Sequence, residues 1–240
     1  MTRVAQAVLL AAGRGSRLGE LTASFPKALL EVGGRPILFR ILDGLVAAGI
    51  RDIVVVTGHA GDLLAEATGS GERWGGRISY RHQESIDGTA RAAALAREHM
   101  GERPFFIGWA DIVVEPANYL RVIEASEATG ASLAVNEVDD PTAGAAVYFD
   151  GAGVVTRIVE KPPRGTSSTK WNNAGLAVLP PTIWPFSEAL EPSPRGEYEL
   201  PQAVAAFAER HPIKAVPLEG PWFDVGTPES LAAARAHFGG

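Results

Sequence analysis

The chain has 240 residues, 46% of them hydrophobic, and a formal net charge of −6. That length supports a buried core in one large domain or two small ones, and the acidic balance excludes the basic footprint of a nucleic-acid-binding protein. Cysteine is absent, which excludes a disulfide framework and a thiol nucleophile and agrees with a reducing, cytoplasmic compartment. The apolar run from Val4 to Ala12 is far shorter than the roughly 20 residues of a membrane helix, so no membrane partner is expected.

In chain order, residues 5–12 read as a buried strand. It runs into Gly13-Arg14-Gly15-Ser16-Arg17, with Phe25-Pro26-Lys27 following some ten residues later. Glycines let a backbone bend and approach a ligand closely. The exposed N–H groups of such a loop form an anion-binding concavity. Two arginines and a lysine nearby suit a polyphosphate. The loop is not a P-loop, because G-x-x-x-x-G-K-[ST] is absent. It is not a dinucleotide fingerprint either: Gly13, Gly15 and Gly19 are spaced one residue too widely. The second strand, 53–57, also ends at Gly58-His59 without the ribose-binding acid. Taken alone, the glycines favour an ordinary βα turn; the two arginines and the lysine around them favour the phosphate site.

Residues 36–46 have helical apolar spacing, with Pro36 in the permitted first turn, and Ala47-Ala48-Gly49 closes that helix. A helix is expected at 61–67, a strand at 77–81, an alanine-rich helix at 88–100 and a strand at 105–108 leading to Asp111. Strands separated by helices predict an α/β fold with a mainly parallel sheet. The second half is mixed. Strands are expected at 131–135, 145–149, 154–159 and 174–179, the middle two joined at Gly151-Ala152-Gly153 as an antiparallel addition. Helices are expected at 199–210 and 228–238. With no repeat and no linker, a single domain spanning 1–240 is expected, with functional halves 1–115 and 116–240. The segment 163–170 reads as a lid or a solvated turn.

Two aspartates fall at strand ends, where open α/β sheets bind ligands. These are Asp111, and Asp224 within Trp222-Phe223-Asp224-Val225-Gly226-Thr227-Pro228. Carboxylates combined with substrate phosphates are ligands that Mg²⁺ prefers. A turn or capping role is the plainer alternative for Asp111. Thr227-Pro228 reads as a helix cap with proline at the first position, which accounts for Thr227 and leaves Asp224 free.

The ordered motifs resemble the sugar-1-phosphate nucleotidylyltransferases. Leu10-Ala11-Ala12-Gly13-Arg14-Gly15-Ser16-Arg17-Leu18 is similar to their N-terminal signature, and Pro26-Lys27 to a second element. Gln83 with Gly88-Thr89-Ala90 resembles their base-recognition segment, and Asp111 their metal aspartate. Glu160-Lys161-Pro162, Asn173-Ala174-Gly175, Glu197-Tyr198-Glu199-Leu200 and the Trp222–Pro228 segment resemble their remaining motifs. One departure is Ala110, where the family usually has glycine.

The resemblance implies a Rossmann-like three-layer α/β/α sandwich on a mostly parallel mixed sheet, of the GT-A-like nucleotidyltransferase type. It implies attack of a sugar 1-phosphate on the α-phosphorus of a nucleoside triphosphate, with Mg²⁺ held by Asp111 and Asp224. Arg17, Lys27 and Asp111 would be catalytic. Leu10, Ala11, Ala12, Gly13, Arg14, Gly15, Gln83, Gly88 and Thr89 would bind the nucleotide. Glu160, Lys161, Asn173, Gly175 and Glu197 would bind the sugar phosphate. A homo-oligomer is compatible with the resemblance. The base stays open, although Ala12 and Gln83 are analogous to pyrimidine users.

Three rivals remain. One is a cytidylyl- or guanylyltransferase acting on phosphocholine, a phosphonate, or a heptose or cyclitol phosphate. A choline would favour an aromatic cage, for which Trp109, Trp171 and Trp184 are candidates. Another is a regulatory subunit that binds sugar nucleotides without turnover. The third, a Rossmann-type oxidoreductase, is opposed by the glycine spacing and the missing acid.

Overall fold

The computed structural model describes residues 4–239; residues 1–3 and 240 of the expected span lie outside the described residues. The first half runs β1 (Gln6–Ala11), β2 (Glu31–Val32), β3 (Arg35–Pro36), α1 (Ile37–Ala47), β4 (Asp52–Thr57), α2 (Gly61–Thr68), β5 (Arg77–His82), α3 (Thr89–Ala94), α4 (Arg97–Met100), β6 (Phe105–Trp109) and β7 (Ile112–Val114). The second half adds α5 (Ala117–Ala125), β8 (Ser132–Glu137), β9 (Ala145–Phe149), β10 (Val155–Glu160), β11 (Trp171–Leu179), α6 (Trp184–Glu188), α7 (Leu200–Ala208), β12 (Lys214–Pro217), β13 (Trp222–Asp224) and α8 (Pro228–Phe238).

A nine-stranded mixed sheet runs through both halves in the order β10-β9-β11-β6-β1-β4-β5, with β8 paired to β11 and β12 to β8. The four strands β6, β1, β4 and β5 are mutually parallel. Their interiors, such as Ala7-Val8-Leu9-Leu10 and Ile53-Val54-Val55-Val56, are unbroken buried runs, as parallel strands covered on both faces require. Alternate residues serve opposite faces. Ala7, Leu9, Ile53 and Val55 pack against α1, α5 and α8. Val8, Leu10, Val54 and Val56 pack against α3, α6 and α7. The expected three layers follow from that alternation.

β9 and β10 form the expected antiparallel pair. β11 runs antiparallel to β6 and joins this addition to the parallel strands. The expected helix at 88–100 is interrupted: Leu95 N donates to Ala92 O and Ala96 N to Ala93 O, a tightening to three-residue turns that separates α3 from α4. The expected strand at 174–179 begins earlier, at Trp171. The short strands β2, β3, β7, β12 and β13 and the short helix α6 carry no periodic signal long enough to identify them, whereas α5 lies where no element was expected although Tyr119, Val122 and Ile123 give it a buried face at helical spacing. The segment 163–170 is tied down at several points. Gly165 N donates to Asp140 Oδ2 (3.0 Å), Ser168 N to the Tyr148 hydroxyl (3.3 Å), and Thr169 Oγ1 to Val147 O (3.2 Å).

Candidate active site

The glycine loop leaves the C-terminal end of β1 between β4 and β6. Gly15 has φ +65°, and Leu18 N and Thr22 Oγ1 both donate to its carbonyl at 2.8 Å. A Cβ at Gly15 would lie 3.2 Å from Thr22 Cγ2 and 3.3 Å from Lys27 Cβ. Glycine here serves both the left-handed backbone and the close passage of Lys27. Arg14 and Arg17 are exposed. The Arg17 guanidinium lies over Gly226, where a built Cβ would be 2.6 Å from Nη2. The loop is thereby brought to the Asp224 segment, some two hundred residues away in sequence.

The aspartates meet because β7 and β13 pair antiparallel. Asp224 stands opposite Ile112, and Val225 N donates to Asp111 O at 3.0 Å. Asp111 follows β6 in the turn into β7. Ala110 N continues the ladder by donating to Leu10 O at 3.0 Å, and Ala110 is buried, so the methyl that departs from the family pattern packs inward. Lys27 Nζ is ion-paired with Asp111 Oδ2. Burial pushes the Asp224 carboxyl above its ordinary value and the Asp111 charge adds to that, while Lys27 and Arg17 oppose it. Among the described residues no three His, Cys, Asp or Glu groups converge as a self-sufficient metal cage. Two neighbouring carboxylates still fit Mg²⁺, which typically takes one or two protein carboxylates and completes its shell with substrate phosphates and water.

Two cavities flank Asp111. A smaller one of about 150 Å³ is lined by Leu10, Ala11, Ala12, Gly13, Lys27, Gln83, Gly88 and Thr89, among others. A larger one of about 390 Å³ is lined by Glu160, Lys161, Asn173, Gly175 and Glu197, together with Asp224. Thr89, Trp109, Asp111 and Glu197 line both. Apart from Thr89 and Glu197, which line both, the expected nucleotide and acceptor residues that line these cavities lie on different sides of Asp111. Arg14, Gly15 and Arg17 line neither cavity and stand at the loop beside them.

On the smaller side, Gln83 Nε2 donates to Asp87 Oδ1 (3.0 Å) and Gly88 O (3.2 Å), and Gln83 lines the cavity. Gly88 has φ +127° and lies against the Tyr198 backbone, where a side chain would collide. Thr89 Oγ1 accepts from Leu200 N at 2.8 Å. These contacts lace the 195–200 segment onto the start of α3, and they give Thr89 a structural tie as well as a place at the junction.

On the larger side, Glu160 ends β10 and Lys161 turns with φ +45°, its N–H donating to Gly144 O at 2.8 Å. Lys161 Nζ is 3.5 Å from Glu160 Oε1 and 3.9 Å from Glu199 Oε1. Burial raises the Glu160 carboxyl, partly offset by Lys161. Asn173 Oδ1 accepts from Gly175 N at 3.0 Å, within the irregular stretch of the β11–β8 pairing. Its side-chain oxygen is therefore engaged in holding the strand.

Sequence reasoning missed Arg195, Asp140 and Asn172, which also line this cavity. Arg195 is ion-paired with Glu199 and lies 3.3 Å from Glu197; its signal was a cation two residues before Glu197. Asp140 and Asn172 carry no such signal. Asp140 Oδ1, Glu160 Oε2 and Asn172 Oδ1 are buried without a hydrogen-bond partner. All three are acceptors, and an unpaired buried polar atom costs about 1–3 kcal/mol. The aromatic-cage candidates do not converge. Trp184 is stacked on Phe105 with ring centroids 5.1 Å apart, Trp171 packs on Phe149, and of the three only Trp109 lines a cavity.

The family described as Nucleotidyl transferase matches residues 6–239. A low-salt glycan biosynthesis nucleotidyltransferase of Haloferax volcanii is 33% identical over 232 residues, covering 95% of this chain and 64% of that protein. A glucose-1-phosphate thymidylyltransferase of Xanthomonas campestris pv. campestris is 32% identical over 232 residues, covering 95% of this chain and 78% of that enzyme. The chain therefore spans less than two thirds of the first relative and about three quarters of the second. A solved structure of UDP-glucose pyrophosphorylase complexed with UDP-glucose has a TM-score of 0.88 to this chain at 20% identity, covering 98% of each chain. At that identity the likeness is one of fold.

Proposed function

The chain belongs to the nucleotidyl transferase family as a sugar-1-phosphate nucleotidylyltransferase, and from that premise we propose that it transfers a nucleoside monophosphate from a nucleoside triphosphate to a sugar 1-phosphate, releasing pyrophosphate. We take residues 1–240 as one catalytic domain, 1–115 serving the nucleotide and 116–240 the acceptor. The observation that carries this reading is the meeting of the two cavities at Asp111. A triphosphate seated on the β1 loop would present its α-phosphorus to whatever phosphate occupies the larger cavity.

In this reading the loop amides with Arg14 and Arg17 hold the β- and γ-phosphates, and Lys27 lies nearest the α-phosphate. Lys161 and Arg195 are cations lining the acceptor cavity, and they pair with the incoming phosphate. One of its oxygens attacks the α-phosphorus as the bond to the β-bridging oxygen breaks, and the electron pair leaves with pyrophosphate. No protein nucleophile is needed. Phosphoryl-type transfer depends on positioning and on neutralising charge as it develops. Asp111 and Asp224 would hold Mg²⁺, whose chemistry when bound is Lewis-acid neutralisation of the triphosphate.

The cage candidates bear on the rival acceptors. Of Trp109, Trp171 and Trp184 only Trp109 lines the larger cavity, so these three form no cage for a trimethylammonium. That supports a hydroxyl-bearing acceptor over phosphocholine. The test is pyrophosphate release with Mg²⁺ across four nucleoside triphosphates, each paired with a panel of sugar 1-phosphates and with phosphocholine. Release that requires a sugar 1-phosphate supports the reading. Release with phosphocholine alone, or tight nucleotide-sugar binding with no release under any pairing, sinks it.

A further inference from the structure

Lys27 is engaged by a carboxylate of the site. Its ammonium is paired with Asp111 Oδ2, with the two side chains only 13% and 20% exposed. Packing aims it there. The following residues Ala28, Leu29 and Leu30 are buried, and Leu29 N and Leu30 N close a tight turn on Pro26 O and Lys27 O. The lysine stem runs along Gly15, where a built Cβ would lie 3.3 Å from Lys27 Cβ and 3.4 Å from Cδ. Asp111 is fixed on its own side by Val225 N, which donates to its carbonyl. Of the two carboxylates at the junction, then, one is already neutralised by a neighbouring cation.

A divalent ion binds Asp111 well only if that carboxylate keeps its charge and no ammonium crowds the same group, since like charges a few ångströms apart repel by about 4 kcal/mol or more at an effective dielectric of 20. A triphosphate removes the conflict. Its several negative charges, seated on the loop beside Gly15 along which the lysine stem runs, would offer the ammonium a stronger partner. We propose that Lys27 and the metal compete for Asp111, so that the metal enters with the nucleotide and binds the free protein poorly. Lys27 is then both a phosphate ligand and the group that makes metal occupancy depend on substrate. The inference rests on the reading of Asp111 as a metal ligand.

The test is Mn²⁺ binding to the protein without nucleotide, followed by electron paramagnetic resonance of the free ion. Lys27→Met should bind Mn²⁺ at least about tenfold more tightly than wild type, within the usual range of couplings between two sites. Lys27→Arg keeps a cation able to pair with Asp111 and should stay close to wild type. Arg17→Ala removes a cation whose field reaches Asp224 without one paired to Asp111, and should give a smaller rise. Thermal melts of each variant establish that it is folded. Equal Mn²⁺ affinity in wild type and Lys27→Met overturns the competition and leaves the metal reading intact. An Arg17→Ala rise as large as that of Lys27→Met overturns it too, by reducing the effect to overall charge. No Mn²⁺ binding by any variant, even with tripolyphosphate added, overturns the metal reading and the competition together.

Discussion

The two cavities that meet at Asp111 are built by different means. The smaller one draws on the end of β1 with Ala12 and Gly13 after it, on Gln83 and on the start of α3, and most of its lining residues are alanine, glycine or apolar. The larger one draws on β10, β11, the 140–144 turn and the 195–199 segment, and its polar groups are side chains, carboxylates above all. A polyphosphate has the same shape and charge whatever nucleoside carries it, so a loop of amides with a few cations suffices. An acceptor must be told from its isomers, and that takes side-chain oxygens placed one by one. The contrast predicts that substitutions on the smaller side weaken turnover for every acceptor alike, whereas those on the larger side separate acceptors.

The largest effect should come from the residue the two sides share. Asp111→Ala should lower kcat by at least about 10³-fold, the upper range for one preorganised group, with an unchanged far-ultraviolet circular dichroism spectrum. Near wild-type turnover would remove Asp111 from the chemistry. Next comes the nucleotide side: Arg17→Ala should cost about 3–4 kcal/mol of transition-state stabilisation, read as kcat/KM, by a similar factor for each acceptor used. A loss confined to one acceptor would break the contrast.

Glu160→Gln probes the other side. It should raise KM for the sugar phosphate by an amount worth about 1.5–3 kcal/mol, the range for hydrogen bonds to a charged group, and leave KM for the triphosphate in place. The smallest effect concerns stability. Burial and Asp111 raise the Asp224 carboxyl above its ordinary 3.8. The folded state therefore holds that proton more firmly than the unfolded chain, and stability falls as pH rises through the raised value. Asp224→Asn should accordingly melt higher than the ligand-free wild type at neutral pH, by about 0.5–2 kcal/mol. The difference should close below the ordinary carboxylate range. A lower melting point at pH 7 would mean that Asp224 is a net stabiliser.

The same contrast explains what could be read beforehand. Gly13 to Arg17, Lys27 and the parallel strands were legible because their signals are contiguous: apolar runs, glycines and cations within thirty residues. Asp111 and Asp224 were legible as strand-end acids, but their juxtaposition comes from the β7–β13 ladder, three residues on each strand, too short for any periodic signal. Arg195, Asp140 and Asn172 reach the acceptor cavity through the antiparallel additions and the loops between them. A residue's type does not reveal which cavity wall such long-range pairing will make of it. The break between α3 and α4 was hidden for the opposite reason: alanines favour helix and mask where the chain tightens.

The central claim is that the α-phosphate crosses from one cavity to the other at Asp111. Parallel incubations with α-labelled and γ-labelled nucleoside triphosphate, a sugar 1-phosphate and Mg²⁺ test it most directly. The account predicts α-label in a new nucleotide-sugar pyrophosphate linkage and γ-label wholly in released pyrophosphate. Finding γ-label on the acceptor or in free inorganic phosphate, in the absence of any pyrophosphatase, would contradict it.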